Sequence, residues 1–248
     1  MQKKFELEDT HYGNLKNIKM TCDNPLTTKR KIHPPFPNQS FFMMVIGAPG
    51  SGKSTFLFNM LQKQKKGQES IYYRVFKNIL YVCPPNSRST VENNPLADLA
   101  EDSVFDELDY KVQDKIIENK DAYNETPEKH YKQLLIIDDC SAFLKDKTNV
   151  KILSELSKNR RHLGLSIIIL AQDIIDIPKS TRRQISALVV FKPPNNSDLD
   201  IIRKEFVNIK KPDFEELARF VFRDKHDHLF VDKNTNDLFR NLQKIIMH

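Results

Sequence analysis

Gly47, Gly52, Lys53 and Ser54, in the stretch VIGAPGSGKST, fill every fixed position of the pattern G-x-x-x-x-G-K-[ST]. Such a backbone can curl around phosphate oxygens with its N–H groups pointing inward, which requires glycine where a Cβ would collide or φ must be positive. The residues expected to wrap a nucleotide are Gly47, Ala48, Pro49, Gly50, Ser51, Gly52, Lys53, Ser54 and Thr55. Lys53 would bring positive charge to the β- and γ-phosphates of ATP, and the Ser54 hydroxyl would reach Mg²⁺.

Three later motifs could turn binding into hydrolysis. LLIIDDCS ends an apolar run in Asp138 and Asp139. Asp138 would hold the Mg²⁺ shell together with Ser54, and Asp139 would orient or deprotonate a water. SIIILAQD ends another apolar run in Gln172, a side chain able to sense a γ-phosphate and place a water. LSKNRRHLGLS places Arg160 and Arg161 at the end of a helical stretch. Cations there stabilise a helix through its dipole, but such an arginine can also act as a finger on the phosphate of an adjacent subunit. Leu153, Leu156 and Arg160 share one helical face while Arg161 lies about 100° away, so Arg161 is the first candidate and Arg160 the second. Arg182, with Arg183 in IPKSTRRQIS, is the alternative finger or a DNA contact.

Elements of a definite kind must hold these groups. The phosphate loop works between a strand and the N-terminus of a helix. Phe41 to Ile46 is an apolar run suited to a strand buried on both faces, and Thr55 to Lys66 has helical spacing, ending in a lysine-rich turn and Gly67. Further strands are expected at Asn78 to Cys83, Leu134 to Ile137, Ser166 to Leu170, Ala187 to Phe191 and Leu229 to Asp232. Their spacing predicts an α/β fold of the P-loop NTPase kind, a mainly parallel sheet sandwiched by helices, with an additional strand between the phosphate-loop strand and the Asp138 strand. The acidic stretch between Val91 and Tyr131 is expected to form helices over the sheet edge, a helix to start at Ser197, and NLQKIIMH to close the chain as a helix. Residues 1–38, lysine-rich and ending in HPPFP, read as a basic arm or linker, and 39–248 as the ATPase domain.

Composition narrows the class. The chain has 248 residues, 39% hydrophobic and 29% charged, and its longest apolar runs are far short of the roughly 20 residues of a membrane span. The N-terminus lacks the apolar segment of a signal peptide, so a cytosolic location is expected. Cys22, Cys83 and Cys140 have neither disulfide nor zinc spacing. The net charge of +6 points to a polyanionic partner. His226 and His228 lack a third ligand nearby, which argues against a metal site, and Phe220 to Phe222 are expected in the core.

GAPGSGKST, LLIIDDC, RRHLGLSIIILAQD and IPKSTRRQISALVVF, in this order, resemble the FtsK-HerA superfamily of DNA-pumping ATPases. Within it the likeness is to the poxvirus-type genome-packaging ATPases of large DNA viruses and virophages, over roughly Phe36 to Asp232. The resemblance implies a homo-oligomeric ring of five or six copies, ATP between subunits, double-stranded DNA in the channel, and viral capsid proteins as partners. It implies a location in the host cytoplasm, at the viral factory, and in the virion, with no membrane. Lysines and arginines on loops at the sheet edge, such as Arg88, are the candidate channel contacts. Two alternatives remain open at this point: a nucleotide-regulated DNA-binding switch or loader, and a P-loop nucleotide kinase.

Overall fold

An apolar run with no polar alternation is stable as a strand only where both faces of the sheet are covered. In the computed structural model β1 (Phe42–Ile46) is such a strand, with every residue buried. The structure describes residues 32–38, 40–66, 70–88, 94–125, 132–139, 144, 146–193 and 195–246. β1 pairs in parallel with β5 (Leu165–Ala171) on one side and β6 (Ala187–Phe191) on the other. Beyond β5 come β4 (Gln133–Ile137), β2 (Asn78–Val82) and the two-residue edge strand β3 (Val104–Phe105), all parallel. On the other side of β6 the sheet turns antiparallel through β7 (His228–Asp232), β8 (Asp237–Arg240) and the two-residue β9 (Gln243–Lys244). The order is β3-β2-β4-β5-β1-β6-β7-β8-β9. The additional strand expected between the phosphate-loop strand and the Asp138 strand is therefore β5.

Side-chain alternation along β1 divides the core in two. Phe42, Met44 and Ile46 face α3 (Tyr110–Glu125) and α4 (Lys147–Asn159), packing among Val112, Ile116, Leu153 and Leu156. Phe41, Met43 and Val45 face the other way, onto Leu57, Phe58 and Met60 of α1 (Lys53–Leu61). A sheet buried on both faces in this way has its strand ends as the natural place for polar chemistry.

The sequence reading of the elements holds for the parallel strands; α1, expected to run to Lys66, ends at Leu61, and the reading departs from the structure in three further places. The helix expected at NLQKIIMH is not formed over the described residues. Leu238 and Phe239 are buried against β7 instead, and Asn236 and Asn241, with φ of 59° and 54°, make the turns of an antiparallel meander. The acidic stretch supplies α3 as expected, but also β3, too short to show periodicity. Of Phe220 to Phe222, Val221 is buried, yet Phe220 is 43% exposed and lies beneath the Arg223 and Arg240 guanidinium groups, because at the end of α7 (Lys211–Val221) it faces outward. Gly67, Cys22 and Cys140 lie outside the described residues, and Cys83 is a buried free thiol. No helix among the described residues is long and apolar enough to cross a membrane.

Residues 1–31 of the expected arm lie outside the described residues, and residues 32–38 rest on the domain. Phe36 is buried, edge-on to Tyr72 at 6.2 Å and to Phe230 at 5.7 Å, and the Tyr72 hydroxyl donates to the Pro37 carbonyl at 2.7 Å. Truncation of Phe36 removes the aromatic anchor of this segment. Phe36→Ala should lower stability by about 3 kcal/mol in chemical denaturation, with no loss of secondary structure by circular dichroism.

Candidate active site

The chain leaves β1 at Ile46, and its ladder continues one step, the Gly47 N–H donating to the Ala171 carbonyl at 3.3 Å. A Cβ on Gly47 would lie 2.5 Å from Ser51 Oγ and 2.8 Å from Phe191 Cβ, so only glycine lets the loop turn so tightly over β6. Gly52 takes φ of 109°, closed to ordinary side chains, and delivers the chain into α1 at Lys53. One residue that sequence reasoning missed braces the turn: His226 Nδ1 is 2.9 Å from the Ser51 carbonyl, which can only accept, so that nitrogen carries the proton. His228 packs against Phe56 and Phe191 at 5.1 Å from each ring, and its burial lowers its pKa. The two histidines support the loop. Among the described residues no His, Cys, Asp and Glu group could hold a metal ion by itself.

Facing the loop are the ends of β4 and β5. The β4 ladder also runs on, the Asp138 N–H donating to the Val82 carbonyl at 2.9 Å, and the Tyr81 hydroxyl reaches Asp138 Oδ2 at 3.4 Å. Asp139 follows in the left-handed region, φ 53°, which turns the chain sharply enough for both carboxylates to border one cleft. That cleft, about 270 Å³, is lined by Pro49, Gly50, Lys53, Ser54, Ser87, Asp138, Asp139, Leu170, Ala171 and Gln172. Lys53, Ser54, Asp138, Asp139 and Gln172 thus come together from three adjacent strand ends.

The electrostatics suit a polyphosphate with a divalent cation. Burial lowers the Lys53 pKa, against the opposing pull of Asp138 and Asp139. Its ammonium group donates to the Gly47 and Ala48 carbonyls at 2.6 and 3.2 Å, inside the curl of the loop. Burial, reinforced by Asp139, raises the Asp138 pKa, while Lys53 holds it down. Ser51 Oγ is buried beneath the loop with no hydrogen-bond partner among the described residues. The donor set of Ser54 hydroxyl and Asp138 carboxylate is the hard-oxygen kind that suits Mg²⁺.

The arginines separate. Arg160 follows Leu153 and Leu156 inward, half-buried, its Nη1 donating to the Ser157 carbonyl at 2.6 Å, and burial beside Arg161 lowers its pKa. Arg161 is exposed. Both precede β5, whose seven residues end beside Gln172, so roughly 23 Å separates them from their own cleft. Arg183 is exposed as well. Arg182 is buried and committed within its own chain, since its guanidinium meets both Glu205 oxygens at 2.9 and 3.0 Å and donates to the Ile177 carbonyl at 2.7 Å. That arrangement leaves it little exposed surface for a neighbouring phosphate or for DNA, and gives it the task of fastening the segment that follows Gln172. Arg88 is also engaged, its Nε donating to the Cys83 carbonyl at 2.9 Å and its guanidinium paired with Asp106.

A family model described as the poxvirus A32 protein matches residues 34–228. The chain belongs to the poxvirus A32 protein family. An uncharacterised relative, protein 075L of Invertebrate iridescent virus 6, is 25% identical over 198 residues, covering 79% of this chain and 71% of that protein. Among solved structures, the genome packaging NTPase B204 of Sulfolobus turreted icosahedral virus 2, in complex with ATP-gammaS, superposes with a TM-score of 0.55 at 16% identity, covering 83% of this chain and 98% of that one. B204 from Sulfolobus Turreted Icosahedral Virus, described as a DNA-packaging ATPase, gives 0.57 at 15% identity over 84% and 98%. ATPases 2 and 3 of EssC from Geobacillus thermodenitrificans give 0.51 at 13% identity, covering 83% of this chain and 40% of that one. At these identities the structures share the fold, that of P-loop ATPases, and by family and fold this A32-family chain is one of them.

Two outcomes check this geometry. Glu205, held below the usual carboxylate range chiefly by Arg182, contributes stability that is present above the ordinary glutamate pKa and lost as pH falls through its lowered folded value. Arg182→Ala should remove that acid-dependent stability and, by leaving one partner of a largely buried pair unmatched, lower stability by about 3 kcal/mol near neutrality in chemical denaturation, while Arg183→Ala should change almost nothing. Because the Asp138 pKa is raised, Mg²⁺-dependent nucleotide binding should weaken on acidification from above the ordinary aspartate range. Asp139→Asn, by removing the neighbouring charge, should move that midpoint to lower pH in a fluorescent-nucleotide titration.

Proposed function

We propose that this chain is a motor of the FtsK-HerA type that uses ATP hydrolysis to drive double-stranded DNA into a preformed viral capsid. The single observation that carries the reading is the place of β5 between β1 and β4. One end of that strand delivers Gln172 to the cleft, and the other end follows Arg161, too far away to serve the same cleft. A cation presented there can complete only the site of another copy, which favours a ring with nucleotide between subunits.

In this reading the phosphate-loop N–H groups and Lys53 hold the β- and γ-phosphates; Ser54 and Asp138 would hold Mg²⁺, which would supply charge neutralisation at the phosphate oxygens. Asp139 accepts a proton from a water that Gln172 helps to orient. The water oxygen forms a bond to the γ-phosphorus while the bond to the β–γ bridging oxygen breaks, leaving ADP and inorganic phosphate. Arg161 of the adjacent copy stabilises the charge spread over the transferring group. The genome-packaging role of the structurally similar B204 proteins, the A32 family and the basic charge of +6 support duplex DNA as the track, gripped through its phosphates without regard to sequence. Capsid proteins and a location in the host cytoplasm and virion belong to the same proposal.

The test is steady-state phosphate release with and without duplex DNA. Turnover should require no phosphoryl acceptor and rise with duplex, and Arg161→Ala should lower kcat by roughly 10³-fold or more with nucleotide binding kept. Lys53→Ala copies mixed into wild type should suppress activity more than in proportion to their share. Turnover indifferent to duplex would favour the switch or loader alternative, and strictly proportional loss would remove the shared site.

A further inference from the structure

A water-ordering carboxylate must be aimed as well as present, because an error of about 1 Å in placement can cost on the order of 10² in rate. Asp139 is exposed and stands beyond the end of β4, where no strand pairing fixes its side chain. Its aim comes from elsewhere. Ser87 Oγ donates to Asp139 Oδ2 at 2.6 Å, the length of a hydroxyl on a carboxylate, and Ser87 lines the same cleft. Ser87 belongs to α2 (Pro85–Arg88), a single turn that follows β2. A helix so short has no stability of its own, so something must hold it.

The holding group is the next residue. Arg88 Nε reaches back to the Cys83 carbonyl at 2.9 Å, closing the turn on the end of β2, and its guanidinium pairs with the Asp106 carboxylate just past β3. The Cys83 N–H in turn donates to the Phe105 carbonyl at 2.9 Å, which fixes the edge strand beside the same turn. A continuous set of polar contacts therefore runs from the sheet edge at Asp106, through Arg88 and α2, to Ser87 and Asp139. We infer that Ser87 is the positioning residue for Asp139, and that Arg88, braced by Asp106, holds Ser87 in place and does not contact DNA. The inference rests on the reading of Asp139 as the carboxylate that handles the water. It gives Ser87 a role that no motif marks, and takes Arg88 out of the candidate channel.

The experiment compares the full chain as wild type, Ser87→Ala, Ser87→Thr, Arg88→Ala, the Ser87→Ala/Arg88→Ala double variant and Asp139→Asn. Folding is checked by thermal melting, turnover is measured at saturating duplex, and duplex affinity is measured across a salt series. Ser87→Ala should lower kcat between about 10- and 100-fold with KM for ATP unchanged, and Ser87→Thr, which keeps the hydroxyl, should recover most of it. Arg88→Ala should show the same kcat loss with duplex affinity and its salt slope unaltered, and the double variant should be no worse than Ser87→Ala. An unchanged kcat for Ser87→Ala, a change confined to KM, or failure of Ser87→Thr to recover turnover would overturn the role of Ser87. A weaker duplex affinity with the salt slope reduced by about one for Arg88→Ala would overturn the role of Arg88 and return it to the DNA. Asp139→Asn separates the two levels: near-complete loss of turnover upholds the reading of Asp139 whatever Ser87 does, and wild-type turnover removes that reading.

Discussion

Everything in this molecule is arranged around an ammonium group that is only partly compensated. Lys53 is drawn out of water by the curl of the phosphate loop, and the two aspartates opposite do not return what burial takes away, since its pKa remains lowered. Asp138 has the matching problem, pushed toward its neutral form by burial and by its acidic neighbour. Each of these groups has hydrogen-bond partners, yet burial opposes the charge of both. A polyphosphate with a divalent cation relieves both at once, because it brings negative charge to the lysine and positive charge to the carboxylate. Such a site binds its ligand by ending a mutual imbalance that folding has imposed on it.

Folding can impose that imbalance because a sheet buried on both faces supplies it. The apolar alternation of β1 packs one set of side chains onto α1 and the other onto α3 and α4, so strand positions are fixed far more tightly than any loop could fix them. β1, β4 and β5 end side by side, and Asp138 and Gln172, the first residues past β4 and β5, line the cleft with the phosphate loop. Arg182 extends the same logic. Its bonds to Glu205 and to the Ile177 carbonyl hold the segment after Gln172 against the turn that follows α6 (Asn196–Ile202), where the helix passes into a π-helical stretch at Arg203–Val207.

Much of this was legible in the residues. The continuous apolar runs of β1, β4, β5 and β6 read as buried parallel strands, and the polar residues closing them, Asp138, Asp139 and Gln172, fall where the structure has its cleft. What escaped was set by distance in sequence or by shortness of element. Arg182 looks like any basic residue until Glu205, 23 positions later, is folded onto it, and His226 meets Ser51 across 175 positions. Ser87 sits in a one-turn helix without a motif. The tail misled for a different reason: Leu238 and Phe239 carry too little pattern to distinguish a strand from a helix, and pairing with β7 decided the matter.

The two outermost strands, β3 and β9, are each only two residues long. An unpaired strand margin is a template on which a foreign chain can crystallise into fibre, and here both templates end before they could seed one. Copies of the chain can then meet at high concentration without their sheets fusing edge to edge.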